Sequence, residues 1–307
     1  MSFVRKVVLS VAANQIIRSF ARKYGMKLGA GRFIAGVTLE EAIQRTSELN
    51  HQDLWVTLDH LGESVTSKKE ALEATDMVIH TFAAIYAAGL TKTNVSVKLT
   101  QLGLDIDSSF CLKNMREIST KAKETNNFLR IDMEDTPRID ITMEIFQTLL
   151  SEFGSATIGL VIQSYLYRSQ KDVEELGKQG VNLRIVKGAY KEPKEVAYPS
   201  KKDVDDQYIA LVKQHLSNGA YTAIATHDEN MIYPLITWIK ENNIPSHLYE
   251  FQMLYGIRSD LAKKLVADGY KVRVYTPFGK EWYPYFTRRL AERPANALFI
   301  LKNLFKK

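Results

Sequence analysis

From about residue 53 the chain alternates short runs of β-branched, aliphatic and aromatic residues with longer stretches whose apolar positions recur every three to four residues. The short runs predict strands at 53–59 (DLWVTLD), 94–99 (NVSVKL), 128–132 (FLRID), 157–163 (TIGLVIQ), 182–187 (NLRIVK), 221–226 (YTAIAT), 247–252 (HLYEFQ) and 271–275 (KVRVY). The intervening stretches predict helices. One follows the cap candidates Thr66 and Ser67, with Leu72, Thr75, Val78, Ile79, Phe82, Ile85 and Tyr86 on a single face. Gly154, Gly180, Gly219 and Gly269 each lie just past such a run, where a helix ends most easily on a left-handed residue. Strands separated by helices give parallel βαβ units, and eight of them at this spacing predict an α/β protein, a (β/α)8 TIM-type barrel. The division expected is an N-terminal helical arm over residues 1–45 and the barrel over 46–307. The polar stretch 191–203 (KEPKEVAYPSKKD), after the fifth strand, reads as a mobile loop beside the site.

Composition supports this picture. At 307 residues and 45% hydrophobic content, the chain is long enough for one barrel of about 250 residues with a short extension, and disordered or fibrous classes are excluded. Cys111 is the only cysteine, which rules out an intrachain disulfide and a cysteine-rich metal cluster and agrees with a reducing compartment. The net charge of +6 is unevenly placed. Residues 1–39 carry no acid but hold Arg5, Lys6, Arg18, Arg22, Lys23, Lys27 and Arg32, leaving 34 of the 41 basic side chains against all 35 acidic ones. A basic arm on a near-neutral body argues against a nucleic-acid surface and for one local anionic contact, with a membrane face as a candidate, or for an arm that simply packs under the barrel. The apolar run 7–13 is too short for a membrane span and is followed at once by polar and basic residues, so it reads as part of an amphipathic helix. A transit peptide shares this character. The expected location is the cytoplasm, with a peripheral contact at the inner face of the membrane.

Barrel enzymes carry their chemistry at the C-terminal ends of the strands. Those positions hold Lys98, Asp132, Gln163, Arg184 with Lys187, Thr226 with His227, Gln252 and Tyr275. Charges inside apolar strands need partners or a ligand, so the set is read as a site, against a bland alternative of internal salt bridges such as Lys98 with Asp132. The adjacent Arg288 and Arg289, after the last strand, suit a carboxylate or phosphate, whereas an arginine ahead of Glu292 is the poorer order for a helix-surface pair. The six histidines never fall at metal-ligand spacing, and no GxGxxG follows a strand. Lys98 and Lys187 keep open a Schiff-base lyase or aldolase on the same barrel. A non-catalytic barrel that binds a membrane surface is the other alternative.

Taken together, VKLTQLG (97–103), IDMED (131–135), IQSY (162–165), LRIVKGAY (183–190), ATHD (225–228), YEFQMLYG (249–256), VYTPFG (274–279) and YFTRRLAE (285–292) resemble the motifs of the proline dehydrogenases. The resemblance covers about residues 90–296. It implies an FAD-dependent oxidation of L-proline to Δ1-pyrroline-5-carboxylate by hydride transfer to flavin N5, with electrons passed to a quinone. It implies substrate contacts from Lys98, Leu254, Tyr275, Tyr285, Arg288, Arg289 and Glu292, and catalytic roles for Asp132 and Arg184. FAD contacts are implied for Met133, Gln163, Arg184, Lys187, Gly188, Ala189, Thr226 and His227. Asp228 stands where the family often has asparagine. Bifunctional relatives carry an aldehyde dehydrogenase as well, for which 307 residues leave no room, so a separate pyrroline-5-carboxylate dehydrogenase is the expected downstream partner.

Overall fold

The computed structural model describes residues 30–292, and of residues 30 and 288–292 only the backbone. Eight parallel strands close into a barrel in sequence order: β1 (Trp55–His60), β2 (Thr93–Val97), β3 (Leu129–Ile131), β4 (Ile158–Gln163), β5 (Leu183–Val186), β6 (Thr222–Ala225), β7 (Tyr249–Leu254) and β8 (Val272–Phe278). Closure comes from β8 pairing with β1 in register from Trp55↔Arg273 to His60↔Phe278. Helix α1 (Leu39–Asn50) precedes β1, and α2 (Lys68–Ala87), α3 (Ser108–Glu124), α4 (Ile139–Phe153), α5 (Ser169–Lys178), α6 (Lys201–Ser217), α7 (Glu229–Glu241), α8 (Ser259–Ala267) and α9 (Trp282–Glu292) each follow a strand. The TIM-type (β/α)8 fold expected from the apolar pattern is the one observed.

Two features of the sequence explain this architecture. Along the strands Leu58, Val97, Ile131, Leu160, Ile185, Phe251 and Val272 are completely buried, in one apolar core cluster with residues of the surrounding helices. The alternate positions hold Ser96, Arg130, Asp132, Arg184, Glu250, Gln252 and Arg273, where Arg184 bonds Asp132 and Ser96, Glu250 bonds Gln252 and Arg273, and Arg130 bonds Asn182. The helices start where local chemistry says they should. Thr38 with Glu41, and Ser67 with Glu70, form reciprocal capping boxes at α1 and α2. Gly154, Gly180, Gly219 and Gly269 take positive φ just past their helices.

The lower barrel is a charged plug rather than an aliphatic filling. Glu250 Oε1 accepts from Arg273 Nε at 2.7 Å and from Gln252 Nε2 at 2.6 Å, and Lys271 Nζ lies 3.3 Å from the other oxygen. Arg130 Nη1 donates to the carbonyls of Leu160 and Asn182. Gly159 makes this possible, because a Cβ there would sit 2.7 Å from that same Nη1.

Several boundaries differ from the sequence reading. Leu99 belongs to a 3-10 turn, Leu99–Leu102, that Lys98 initiates, so β2 ends at Val97. β8 runs three residues beyond 275, to Phe278, because its partner β1 continues to His60. Helix α1 passes through residue 45, where the arm was expected to end. The stretch 191–203 is partly helical, since Ser200 caps α6 and Lys201 begins it. Its remainder is tied down: Glu192 accepts from Thr136 N at 2.8 Å, Tyr167 OH donates to Lys194 O, Tyr198 N donates to Tyr165 O, and Leu166 bridges Ala197. Of the expected basic arm, residues 1–29 lie outside the described residues.

Candidate active site

The strand ends open into one cavity of about 2050 Å³. Lys98 sits at the end of β2, with its ammonium 3.5 Å from Asp59 Oδ2, 3.4 Å from Asp132 Oδ2 and 3.2 Å from Tyr275 OH. Tyr275 OH donates to Asp132 Oδ2 at 2.7 Å. Arg184 reaches over from β5, giving Nη1 to Asp132 Oδ1 at 2.8 Å and Nη2 to Ser96 Oγ at 3.0 Å, and its guanidinium carbon stands 5.1 Å from the centre of the Tyr275 ring. Residues from five strands therefore meet within a few bond lengths.

Burial makes these contacts decisive for charge. Asp132 would be driven towards its neutral acid by burial, but Lys98 and Arg184 outweigh that and hold it below the usual carboxylate range. Asp59 is pushed up to about 6, because its burial and the nearby Asp132 charge prevail over Lys98. Burial likewise opposes the Lys98 charge, yet Asp59 and Asp132 keep it firmly cationic. Two carboxylates of unequal proton affinity share one ammonium, which is the pattern of an acid–base pair.

A second wall comes from β5 and β6. Lys187 Nζ pairs with Asp205 at 2.6 Å and Asp228 at 3.4 Å, while Asp228 caps α7 through Asn230 N. Gly188 takes φ +118 with its Cα against the Tyr165 ring, where a Cβ would come within 2.5 Å. Only glycine fits there. His227 Nε2 accepts from Leu254 N at 2.8 Å, so that nitrogen carries no proton and the loop after β6 is locked to the end of β7. Gln163 Nε2 donates to Glu134 O, and Glu134 in turn holds both Thr100 N and Thr100 Oγ1.

The sequence-predicted residues Lys98, Asp132, Gln163, Arg184, Lys187, Gly188, Ala189, Thr226, His227, Leu254, Tyr275 and Tyr285 all line this cavity. Met133 does not. Its apolar side chain is buried in the core cluster instead. Arg288, Arg289 and Glu292 fall on α9, but their side chains lie outside the described residues. The Lys98–Asp132 salt bridge exists, as the bland reading held, yet it forms the cavity wall instead of closing it. Sequence reasoning missed Asp59 and Ser96. Asp59 closes the run DLWVTLD as Asp132 closes FLRID, and that symmetry was the available signal.

A closed parallel barrel whose charged groups converge at the strand ends, in one large cavity, defines a barrel enzyme site. By sequence the chain belongs to the proline dehydrogenase family, whose model matches residues 42–302. It is 47% identical to the proline dehydrogenase of Deinococcus radiodurans over 305 residues, covering 98% of both chains. With proline dehydrogenase 1 of Bacillus subtilis it shares 42% identity over 304 residues, 99% of this chain and all of that one. The bifunctional protein PutA of Escherichia coli is 27% identical over 90% of this chain, which spans 24% of that protein. Among solved structures, proline utilization A from Bdellovibrio bacteriovorus, inactivated by N-propargylglycine, superposes with a TM-score of 0.84 at 26% identity, covering 94% of this chain and 36% of that one.

Proposed function

We propose that this chain oxidises L-proline to Δ1-pyrroline-5-carboxylate, the first step of proline catabolism, using FAD. The observation that carries the reading is the convergence of Lys98, Asp132, Arg184 and Tyr275 on the same cavity as the Lys187–Ala189 and Thr226–His227 walls. The residues fit a dinucleotide flavin. The cavity exceeds the ~300–1,000 Å³ typical of small-ligand pockets. Arg184 Nε is buried with no hydrogen-bond partner among the described residues, and Gly188, packed against the Tyr165 ring, lines the cavity without a side chain. Bound FAD would supply a hydride acceptor at N5 and pass the electrons to a quinone.

The protein's own groups would do the rest. Lys98, held cationic, would take the substrate carboxylate together with Arg288 and Arg289, with Glu292 steadying the arginines. Tyr275, Leu254 and Tyr285 would wall the five-membered ring, and Asp132 would keep Lys98 and Arg184 in place. Fixing the ring in this way turns an encounter into a near-attack geometry. A Schiff-base lyase needs a neutral lysine, and Lys98 lies between two carboxylates that oppose it, while Lys187 is paired with Asp205 and Asp228.

The product would pass to a separate pyrroline-5-carboxylate dehydrogenase. No helix among the described residues is long and apolar enough to cross a membrane. The basic arm would supply a peripheral contact with an anionic bilayer, and vesicle co-sedimentation unchanged by deleting residues 1–24 would remove that part of the reading. The function itself is tested by proline-dependent reduction of a redox dye. Lys98→Ala is expected to lower kcat/KM on the order of 100-fold, as for loss of one partner of a buried charge pair. Failure of the unaltered protein to reduce dye with proline would overturn the assignment.

A further inference from the structure

An ammonium has three hydrogens to give, and Asp59, Asp132 and Tyr275 surround that of Lys98. A substrate carboxylate arriving at Lys98 must take the place of one of them. Asp132 is secured independently by Arg184 and the Tyr275 hydroxyl, whereas Lys98 is the only cation within salt-bridge distance of Asp59 among the described residues. The Asp59 contact is also the longest. Asp59 is then a buried carboxylate, 2% exposed, that loses its cation to a competing anion, and such a group takes up a proton.

Proline binds as a zwitterion, and its nitrogen needs a free lone pair before the adjacent C–H can leave as hydride. Accepting the reading that proline occupies this cavity, we propose that Asp59 is the proton acceptor for the substrate amine, coupling carboxylate binding to amine deprotonation. One N–H bond of the substrate ammonium breaks, one O–H bond forms on Asp59, and the charge of the pocket is unchanged. The groups facing Asp59 agree with this. Lys98 on β2, Asp132 after β3 and Tyr275 on β8 carry the charges and the dipole, while the adjacent His60 is neutral at pH 7, pushed down to about 4 by burial. Tyr190, from the loop after β5, lies within electrostatic reach of Lys98 and is held as the phenol, chiefly by burial. Asp59, at about 6 before substrate arrives, is mostly ionised at neutral pH and ready to accept.

Cyclopentanecarboxylate offers the ring and carboxylate without the amine. Calorimetry in buffers of different ionisation enthalpy, on the flavin-loaded protein, is expected to show uptake of up to about one proton per site on binding it, and none in Asp59→Asn. With proline, Asp59→Asn is expected to lower kcat/KM about 100-fold at pH 7 and to recover as rising pH supplies the free amine. Equal proton uptake in both proteins, or a variant with the unaltered pH profile, would overturn the proposal. If the variant does not fold, infrared difference spectra of the unaltered protein decide: a new protonated-carboxyl band on binding supports it, and none overturns it. Absence of binding by either ligand would instead remove the functional reading, and the proposal with it.

Discussion

Arg184 Nη1 donates to Asp132 Oδ1 over 2.8 Å, joining β5 to the end of β3 across the barrel. The pair fixes the arginine plane above the Tyr275 ring and keeps Asp132 ionised beside Lys98. Arg184→Ala removes both effects. Proline oxidation in a single turnover is expected to slow on the order of 100-fold or more, as for loss of a preorganised electrostatic group. Stopped-flow absorbance on the flavin-loaded variant checks this, and an unchanged rate would contradict the placement of Arg184.

Tyr275 links Asp132 to Lys98 through one hydroxyl. Tyr275→Phe keeps the ring but removes the shorter of the two hydrogen bonds to Asp132 Oδ2, leaving that oxygen to Lys98 alone, at a cost of ~1.5–3 kcal/mol for a bond to a charged group. Activity is expected to fall about tenfold or somewhat more, and steady-state kinetics with proline would show it.

Gly188 combines a φ of +118 with contact against the Tyr165 ring. Gly188→Ala is expected to abolish flavin retention while leaving the barrel folded, because the strain sits in a loop beyond β5. Flavin released by denaturing the purified variant, compared with far-ultraviolet circular dichroism of the same sample, separates the two outcomes.

Acid should unfold the protein steeply, and for a local reason. Burial works against the Glu250 charge, but Arg273 and Lys271 hold it down at about 2 from an ordinary 4.5. Its stabilisation is complete above 4.5 and is lost as pH falls towards 2. His215, pushed down to about 4 by burial, adds a loss between 6.5 and 4. Asp59 acts in the opposite sense, because its raised value favours the folded state below 3.8 and that contribution disappears as pH rises through about 6. His60, pushed down to about 4 by burial as His215 is, adds to the loss in this range, so Asp59 offsets only part of it, and the fall below about pH 4 rests on Glu250. Glu250→Gln leaves Arg273 and Lys271 around an uncharged partner, so a loss of ~3–5 kcal/mol at pH 7 and a shallower acid limb are expected in thermal melts.

The eight strands were legible because their outward positions are mostly apolar, a pattern that survives whatever fills the barrel. Their ends were less so. Lys98 continues the apolar run NVSVKL, but its backbone turns into a 3-10 segment that local residue types do not announce. The site residues could be read where several strand ends carried polar groups in series, as with Asp132, Gln163 and Arg184. Asp59 was hidden, since an aspartate closing a strand reads equally well as a turn residue, and its proximity to Lys98 depends on the alignment of β1 with β2. The charged plug of Arg130, Glu250 and Arg273 was visible as charges inside apolar runs, but its pairing depends on which strands face one another. Met133 shows the converse limit, because an apolar residue within a site motif can bury its side chain in the core instead of lining the cavity.

The most direct measurement is the visible absorption spectrum of the protein as isolated, recorded without oxygen before and after L-proline. A yellow flavoprotein is expected, whose absorbance bleaches on adding proline and stays unchanged with an amino acid that lacks the ring. A colourless protein that gains no flavin spectrum on incubation with FAD, or a flavin spectrum that proline leaves unchanged, would contradict it.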